Sequence, residues 1–358
     1  MSEPVVIVGM GANTAVGRGA WSSAAAVRAG ITGFTEHPNM IDTAGEPMRA
    51  AIAPWLDIDV RGADRLELLL FTAIDEALAV LEPPSGTSAR WALALALPSP
   101  RPGLPENISS DLLVRLKRRY KSVFGGAATF QAGHAGGLLG LQAACAKLHQ
   151  GALDVCVVAG ADSWIEPETL EWLESCDQLH GAGKLNNAWG FIPGEAGAAI
   201  LLMRDSEATQ RHLRPLATIL GVGTAHEPKR IKTETVCIGE GLTEAFRGAL
   251  ACLPAGAKVS DIYCDMNGEP YRADEFGFTA LRTKEYFESP SDFISPADCW
   301  GDVAAAGAPL HLTLACAAAQ KSYAKGRLAF VWSSAEMGER AAAAIACPGN
   351  DIGRGMRG

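Results

Sequence analysis

The stretch FQAGHAGG, residues 130–137, places a histidine, His134, at the point where a long apolar helix is predicted to begin. The N-terminus of a helix presents unpaired N–H groups and a partial positive charge, which favour an anion or a nucleophile of lowered pKa. A histidine at this position is instead a candidate general base. Whether His134 has that role decides whether the chain is an enzyme.

Composition excludes several classes of protein. With 358 residues, 48% of them hydrophobic, the chain can bury one large core or two moderate ones. A net charge of -9 argues against nucleic-acid binding, which needs a basic surface. Nine cysteines without a Cys-x-x-Cys pair indicate reduced, buried thiols. Because the N-terminus lacks a signal peptide pattern and no apolar run reaches spanning length, we expect a soluble, cytoplasmic protein.

The first predicted strand, Val5 to Val8, is followed by a glycine-rich segment, residues 9–17, that we interpret as a tight turn into a helix at about 20–29. It only superficially resembles a dinucleotide loop, because Thr14 stands where the third glycine of GxGxxG belongs. No cofactor is therefore predicted. Helical spacing over 64–81 and an apolar run over 91–97 continue an alternation of helices and strands, which indicates an α/β sheet.

An internal repeat organises the chain. A predicted helix at 136–150 precedes strands at 151–162 and 194–203, and a helix at 307–325 precedes strands at 326–336 and 338–347. Each final strand begins with Gly-Glu and is rich in alanine. This indicates a duplicated α/β unit, with halves at about 1–205 and 206–347 and a flexible, glycine-rich tail at 348–358.

These two halves resemble the β-ketoacyl synthases of the thiolase superfamily. The resemblance is carried by GMGANTAVG near the start, GHAGGLLGLQAACAKLHQGALDVCVVAGAD in the middle and GFIPGEAGAAILLM after it. It implies a thiolase-like fold in which two similar halves form a layered α-β-α-β-α sandwich. It also implies a dimer that pairs the strand around residues 127–131 across a two-fold axis.

The resemblance carries a Cys-His-His catalytic set onto three altered positions. His134 stands where the family has its nucleophilic cysteine, and Asn267 and Asp302 stand where it has the two histidines. The glycine-rich loop near the C-terminus is altered to SSAEMGER, residues 333–340. The thioester step should therefore be absent, and an ionised Asp302 would oppose the enolate that the histidines stabilise.

Two interpretations of the altered site remain open. A hydrogen bond between His134 and Asp302 would make a general base of the imidazole, whereas a satisfied polar network would only replace the lost site. Asp265, Glu269 and Arg272 are nearby in sequence. A metal site from His134, Asp302 and Glu269 has no recognised ligand spacing, so none is predicted. Cys264 and Cys299 flank the site, but their apolar surroundings indicate core packing.

Two functions follow from the resemblance. The first is a non-catalytic protein that binds a related synthase subunit or acts as an adaptor, for example for a type VI secretion effector. The second is an acyltransferase of the 3-oxoacyl-carrier-protein synthase type, with His134, Asn267 and Asp302 as a rearranged site. It requires an open tunnel to His134 and a face that docks an acyl carrier protein, for which the basic run over 115–121 is the candidate. Either protein is expected to form a homodimer, or a heterodimer with a related subunit.

Overall fold

The computed structural model describes residues 3–82, 88–230 and 232–348. The strands are β1 Val5–Thr14, β2 Phe34–Ile41, β3 Pro47–Ala51, β4 Ser88–Ala96, β5 Phe124–Phe130, β6 Val155–Ser163, β7 Glu195–Arg204, β8 Ala217–His226, β9 Asp261–Cys264, β10 Phe293–Ile294, β11 Leu328–Ser334 and β12 Glu339–Ala346. The helices are α1 Ala20–Arg28, α2 Gly62–Leu78, α3 Ile108–Arg119, α4 Gly136–His149, α5 Pro167–Ser175, α6 Asp205–Gln210, α7 Glu240–Leu250, α8 Pro270–Thr283, α9 Ala297–Trp300 and α10 Gly307–Gln320. Within the described ranges, none of these helices has the length and apolar character to span a bilayer. Of the tail at 348–358, only Pro348 is described.

Ten strands form one mixed sheet in the order β10-β9-β11-β12-β8-β1-β7-β6-β4-β5. Each half contributes five strands, in the orders β1-β7-β6-β4-β5 and β8-β12-β11-β9-β10. The directions also match, because the three outer strands of each half are parallel to one another and the two inner pairings are antiparallel. The halves are joined where β1 pairs with β8 over three residues.

The helices complete a layered α-β-α-β-α architecture. Helices α4 and α10 contact each other and lie between the two half-sheets, where Leu138, Leu141, Leu310 and Leu312 belong to the largest apolar cluster. Helix α2 covers the outer face of the first half-sheet and α7 that of the second. The thiolase-like fold predicted from the sequence is confirmed. The boundary expected near residue 205 falls at the start of α6.

The interpretation of residues 9–17 as a turn is wrong for its first part, because β1 continues to Thr14. The glycines serve close packing instead. A Cβ on Gly9 would lie 2.3 Å from the carbonyl oxygen of Ala77, and one on Gly11 would lie 2.0 Å from that of Ala73. Helix α2 therefore approaches the strand backbone more closely than a side chain allows.

Each half contains a buried ion pair between a helix and its last strand. In the first half, Arg65 of α2 donates two hydrogen bonds to Glu195 at the start of β7, at 2.5 and 2.7 Å. In the second half, Arg340 of β12 donates to Glu275 of α8 at 2.6 Å. All four side chains are at most 1% exposed. A buried charge is tolerated only when paired, so each pair holds an outer helix in one register on its half-sheet.

The close approach of α2 predicts the effect of a single methyl group at Gly11. Replacing Gly11 with alanine should lower the free energy of unfolding by about 1–3 kcal/mol, because the backbone of α2 must move to accommodate the Cβ. Gly277 in α8 is the matched control, since a Cβ there meets no atom within 4 Å. Gly277→Ala should leave stability unchanged or raise it slightly. Equal stability of the two variants in urea denaturation would contradict the packing argument.

Candidate functional site

His134 lies in a tight turn between β5 and α4. Residues Gly133–Ala135 form one 3-10 turn, and α4 begins at Gly136. Gly133 has φ of +46°, and a Cβ there would also lie 2.8 Å from the Ser99 hydroxyl oxygen, so this position favours glycine on both counts. The turn holds the His134 side chain in the interior, where the residue is 6% exposed.

The second half repeats this turn. Residues Ala304–Ala306 form a 3-10 turn before α10, and Ala304 has a positive φ of +31°. The residues that precede the two helices, Ala135 and Ala306, share the backbone angles −80° and −16°. Ala305 is thus the structural counterpart of His134. The functional position is polar in one half and apolar in the other.

Asp302 lies against His134 at the centre of the molecule. Both oxygens of its carboxylate lie 2.9 Å from His134 Nε2. Because a carboxylate can only accept, Nε2 is the donor. The Asp302 carboxylate also accepts from the backbone N–H of Ala304 at 2.9 Å and from Asn267 Nδ2 at 2.7 Å. The structure therefore brings His134, Asn267 and Asp302 into one hydrogen-bonded group.

Arg272 of α8 is the central cation of this group and is 1% exposed. Its guanidinium donates to Asp265 at 3.2 Å and to the carbonyl oxygen of Ser334 at 2.9 Å. Its Nη2 lies 3.4 Å from His134 Nε2. The sequence placed Arg272 near the site without indicating that it enters the cluster. Its position depends on how α8 packs, which no local pattern specifies.

Glu269 connects the centre to a second ring of polar residues. It accepts from Asn267 Nδ2 at 3.0 Å and lies 3.1 Å from the ammonium of Lys232. The Tyr271 hydroxyl also donates to it. Gln178 and Lys232 both bind Glu336 as well, at 3.1 and 2.7 Å. Sequence reasoning missed Gln178 and Lys232, because both lie in loops without a recognisable motif.

The electrostatics of the site favour an ionised pair. Burial opposes protonation of His134, but the facing Asp302 carboxylate outweighs it and raises the pKa of His134 above its ordinary value. Burial likewise disfavours ionised Asp302, but His134, Arg272 and Asn267 together hold the pKa of Asp302 well below its ordinary value. Burial and the His134 charge lower the pKa of the neighbouring His311 to about 3. Of the two histidines, His134 therefore favours the protonated form and His311 the neutral form.

The hydrogen bonds and the small volume of the cluster restrict the reactions that its side chains can perform. Nε2 of His134 donates to Asp302, so only Nδ1 can act as a base, and only after the imidazolium, whose pKa is raised, has lost its proton. The cavity bordered by His134, Asn267, Asp302 and His311 measures about 20 Å³. That volume holds about one water molecule and excludes an acyl group. Burial raises the pKa of both Cys264 and Cys299, so neither is an activated thiol.

No metal ligand set forms at the cluster in the part of the chain that the structure describes. Among the described residues, the three groups that lie close enough to share a metal ion are outside the cluster. They are the carboxylates of Glu227 and Glu275 and the thiol of Cys237. The oxygens of the two glutamates already have donors, from Arg340 to Glu275 at 2.6 Å and from the Gly241 N–H to Glu227 at 2.7 Å. The Arg340 charge would repel a bound cation.

Known proteins resemble this chain in one segment of the sequence and in the fold. Residues 122–208, which include His134, match the family model of the β-ketoacyl synthase N-terminal domain. No curated protein sequence matches the chain. The chain has a ketosynthase-like fold.

Several solved ketosynthase structures are similar to this protein over nearly its whole length. A chain from the complex of a type II PKS acyl-carrier protein with its ketosynthase bound to the hexaketide has a TM-score of 0.80 and 15% identity, over 97% of this chain and 100% of that one. The ketosynthase from module 6 of the bacillaene synthase of Bacillus subtilis 168 gives 0.79 and 15%, over 96% and 72%. The ishigamide ketosynthase/chain length factor gives 0.76 and 17%, over 98% and 100%. At these identities the likeness concerns the fold alone.

The two pKa shifts define a pH range in which the pair stabilises the fold. The raised pKa of His134 means that its contribution is complete below the ordinary value of 6.5 and is lost as the pH rises through the folded value. The lowered pKa of Asp302 means that its contribution is present above 3.8 and is lost as the pH falls through the folded value. The pair therefore contributes most between these two ordinary values.

Removing the Asp302 charge should reverse the direction of the His134 shift. In Asp302→Asn, burial and Arg272 both disfavour the imidazolium, so the NMR titration midpoint of His134 should move from above 6.5 to below it. Asp59→Asn, at an exposed carboxylate far along the chain, is the control and should leave the midpoint unchanged. A midpoint that stays above 6.5 in Asp302→Asn would show that another anion holds the proton.

Proposed function

We propose that this ketosynthase-like protein is non-catalytic and acts by binding a protein partner. The observation that carries the proposal is the closed ion cluster of His134, Asp302 and Arg272 at the position of the family's catalytic set. An active site needs groups that are free to bind and to exchange protons. Here each charged group is already neutralised by a neighbour, and the cavity between His134, Asn267 and Asp302 is too small for an acyl group.

The chemistry of condensation supports the same conclusion. A condensing enzyme needs a nucleophile and donors directed at a developing negative charge. His134 replaces the nucleophile, and the carboxylate of Asp302 repels negative charge at the place where a donor is required. Asn267 could donate to an oxyanion, but both of its amide hydrogen bonds to carboxylates, Asp302 and Glu269, are already formed. The residues present stabilise one another rather than a transition state.

For the partner, we propose a related ketosynthase-like chain, either a second copy or a homologous subunit, paired along β5. Among the residues that the structure describes, strand β5 forms one edge of the ten-stranded sheet and pairs with β4 alone, so its other side offers backbone groups for pairing. Ala128 and Thr129 on it are exposed. One of the similar structures is the ishigamide ketosynthase/chain length factor, which is in keeping with pairing between related chains.

A second candidate function, acyl transfer with a rearranged site, is favoured by one feature. A second cleft, of about 300 Å³, also borders His134. Against this, the candidate carrier-docking face is partly neutralised within the chain. Arg115 pairs with Asp64, Glu67 and Asp111, and Arg119 pairs with Asp75. We therefore place this function second.

Intact-protein mass spectrometry after incubation with acyl- and malonyl-thioesters tests the absence of catalysis. The native chain should gain no acyl adduct and release neither thiol nor CO2. His134→Cys is the positive control, because a thiolate at the N-terminus of α4 should react and add an acyl mass. Turnover by the native chain that disappears in His134→Ala would overturn the non-catalytic proposal.

Light scattering coupled to size exclusion tests the pairing along β5. The native chain, alone or with the homologous subunit, should elute as a dimer at micromolar concentration. Arginine at Ala128 and at Thr129 together should weaken the dimer at least about tenfold, because like charges meet near the two-fold axis. Ser110→Arg on the exposed face of α3 should change nothing. A dimer that resists both β5 charges would exclude this edge as the interface.

A further inference from the structure

The turn between α10 and β11 is strongly basic. Its sequence is KSYAKGR, and it carries three exposed cations, Lys321, Lys325 and Arg327. Exposed Arg28, in the last turn of α1, reaches the same turn, because its guanidinium carbon lies 4.2 Å from the centre of the Tyr323 ring. In a chain with a net charge of -9, these four cations form a distinct basic surface.

Two cations of the basic surface are held by aromatic rings rather than by carboxylates. Arg28 lies over Tyr323, and the ammonium of Lys321 lies 4.8 Å from the centre of the Trp21 ring. Within the described ranges, the one ion pair of the basic surface is that of Lys325 with Asp292, at 2.7 Å. An aromatic ring attracts a cation without neutralising its charge. Arg28 and Lys321 therefore keep their charges available for a ligand.

The corresponding turn of the first half shows that the fold does not require these charges. Residues 150–154 connect α4 to β6 and contain neither lysine nor arginine. Their one charged residue, Asp154, pairs with Arg90 at 2.6 Å and with Arg204 at 3.0 Å. Its charge is thus used within its own half, whereas most of the charge of the basic surface is not. Cations that the architecture does not need indicate a binding role.

The basic surface is remote from the ion cluster and from the β5 edge. Helix α10 begins at Gly307, which borders the small cavity of the cluster, and Lys321 directly follows its last residue. A helix of 14 residues is about 21 Å long. In the order of the ten-stranded sheet, β11 is the third strand and β5 is the tenth. A ligand on the basic surface therefore covers neither of the sites described above.

The surroundings of the basic surface favour a protein segment among the possible anionic ligands. The rings of Trp21 and Tyr323 lie against Lys321 and Arg28, so they are not directed outward to enter a bilayer. A nucleic acid is charged along its whole length and would also meet the remaining surface of a chain whose net charge is negative. A short acidic segment of a protein contacts the basic surface alone.

We propose that the basic surface of Arg28, Lys321, Lys325 and Arg327 binds an acidic segment of a second protein. Carboxylates of the segment pair with Arg28 and Lys321 on the side away from the rings, and Arg327 extends the positive field beside them. The inference does not rest on pairing along β5 or on the absence of turnover. It gives the protein a second interaction surface, so one chain can bind a related chain and an acidic protein at the same time.

Fluorescence anisotropy of a labelled (Glu-Ser)4 peptide tests the proposal, with (Gln-Ser)4 as the uncharged control. The native chain should bind the acidic peptide at least about tenfold more tightly at low salt, and raising the salt to about 0.3 M should remove most of that preference. Equal affinity for the two peptides would overturn the proposal. Absence of acidic-peptide binding at about 0.5 mM protein would overturn it as well.

Charge reversal locates the binding. Arg28→Glu combined with Lys321→Glu should weaken binding of the acidic peptide at least about tenfold, because two attractions become repulsions. Lys117→Glu combined with Arg118→Glu, at exposed residues of α3, changes the net charge equally and is the matched control. The control should keep its affinity within about twofold. Equal losses in the two double variants would show that affinity follows net charge alone, which would exclude this site.

Two further probes test the class of ligand. They are a labelled single-stranded DNA with the same number of negative charges as the peptide, and phosphatidylcholine vesicles that contain about 20% phosphatidylserine. Both should bind the native chain more weakly than the acidic peptide does. If either binds more tightly and loses that binding in the Arg28→Glu and Lys321→Glu double variant, the surface recognises nucleic acid or membrane, and the assignment to a protein segment is wrong.

Discussion

The close contact of α4 and α10 between the two half-sheets is the constraint on which the rest of the structure depends. A Cβ on Gly137 of α4 would lie 2.8 Å from Cβ of Ala308 in α10. A Cβ on Gly160 of β6 would lie 2.2 Å from the carbonyl oxygen of Ala305. Only glycine and alanine permit these distances. The starts of both buried helices consequently meet at the molecular centre, and the loops that lead into them bring His134 and Asp302 into contact.

That central position is buried, so the charges there must balance. Asp302, Asp265 and Glu269 provide three carboxylates, and His134, Arg272 and Lys232 provide three cations that contact them. Removing one member of such a cluster leaves an uncompensated buried charge. This destabilises the fold by more than the intact pair stabilises it. The cluster also holds separate segments together, since Asp302 follows α9, Arg272 lies in α8 and His134 precedes α4. The polar residues of the cluster are thus bound to one another and hold three segments of the chain together.

The sequence predicted the fold and part of the site because both depend on local patterns. His134 and Asp302 were identified through the resemblance to the β-ketoacyl synthases, because each precedes a helix of small residues that the family motifs also contain. The extent of β1 was mispredicted, because a glycine-rich run favours a turn locally and the approach of α2 to Gly9 and Gly11 is a tertiary feature. The ion pairs of Lys232 could not be predicted from the sequence for the same reason, because they too are tertiary contacts. Its partners Glu269 and Glu336 are 37 and 104 residues away.

The ion cluster and the cleft are two faces of one arrangement, because His134 borders both and Glu336 closes the outer ring of the cluster. His134 therefore carries one charge that both of them meet, and Asp302 is the group that balances it. A change in the charge of Asp302 or of Arg272 consequently alters the protonation of the ring that borders the cleft. The start of α4 thus holds a protonated imidazole whose charge is compensated within the cluster.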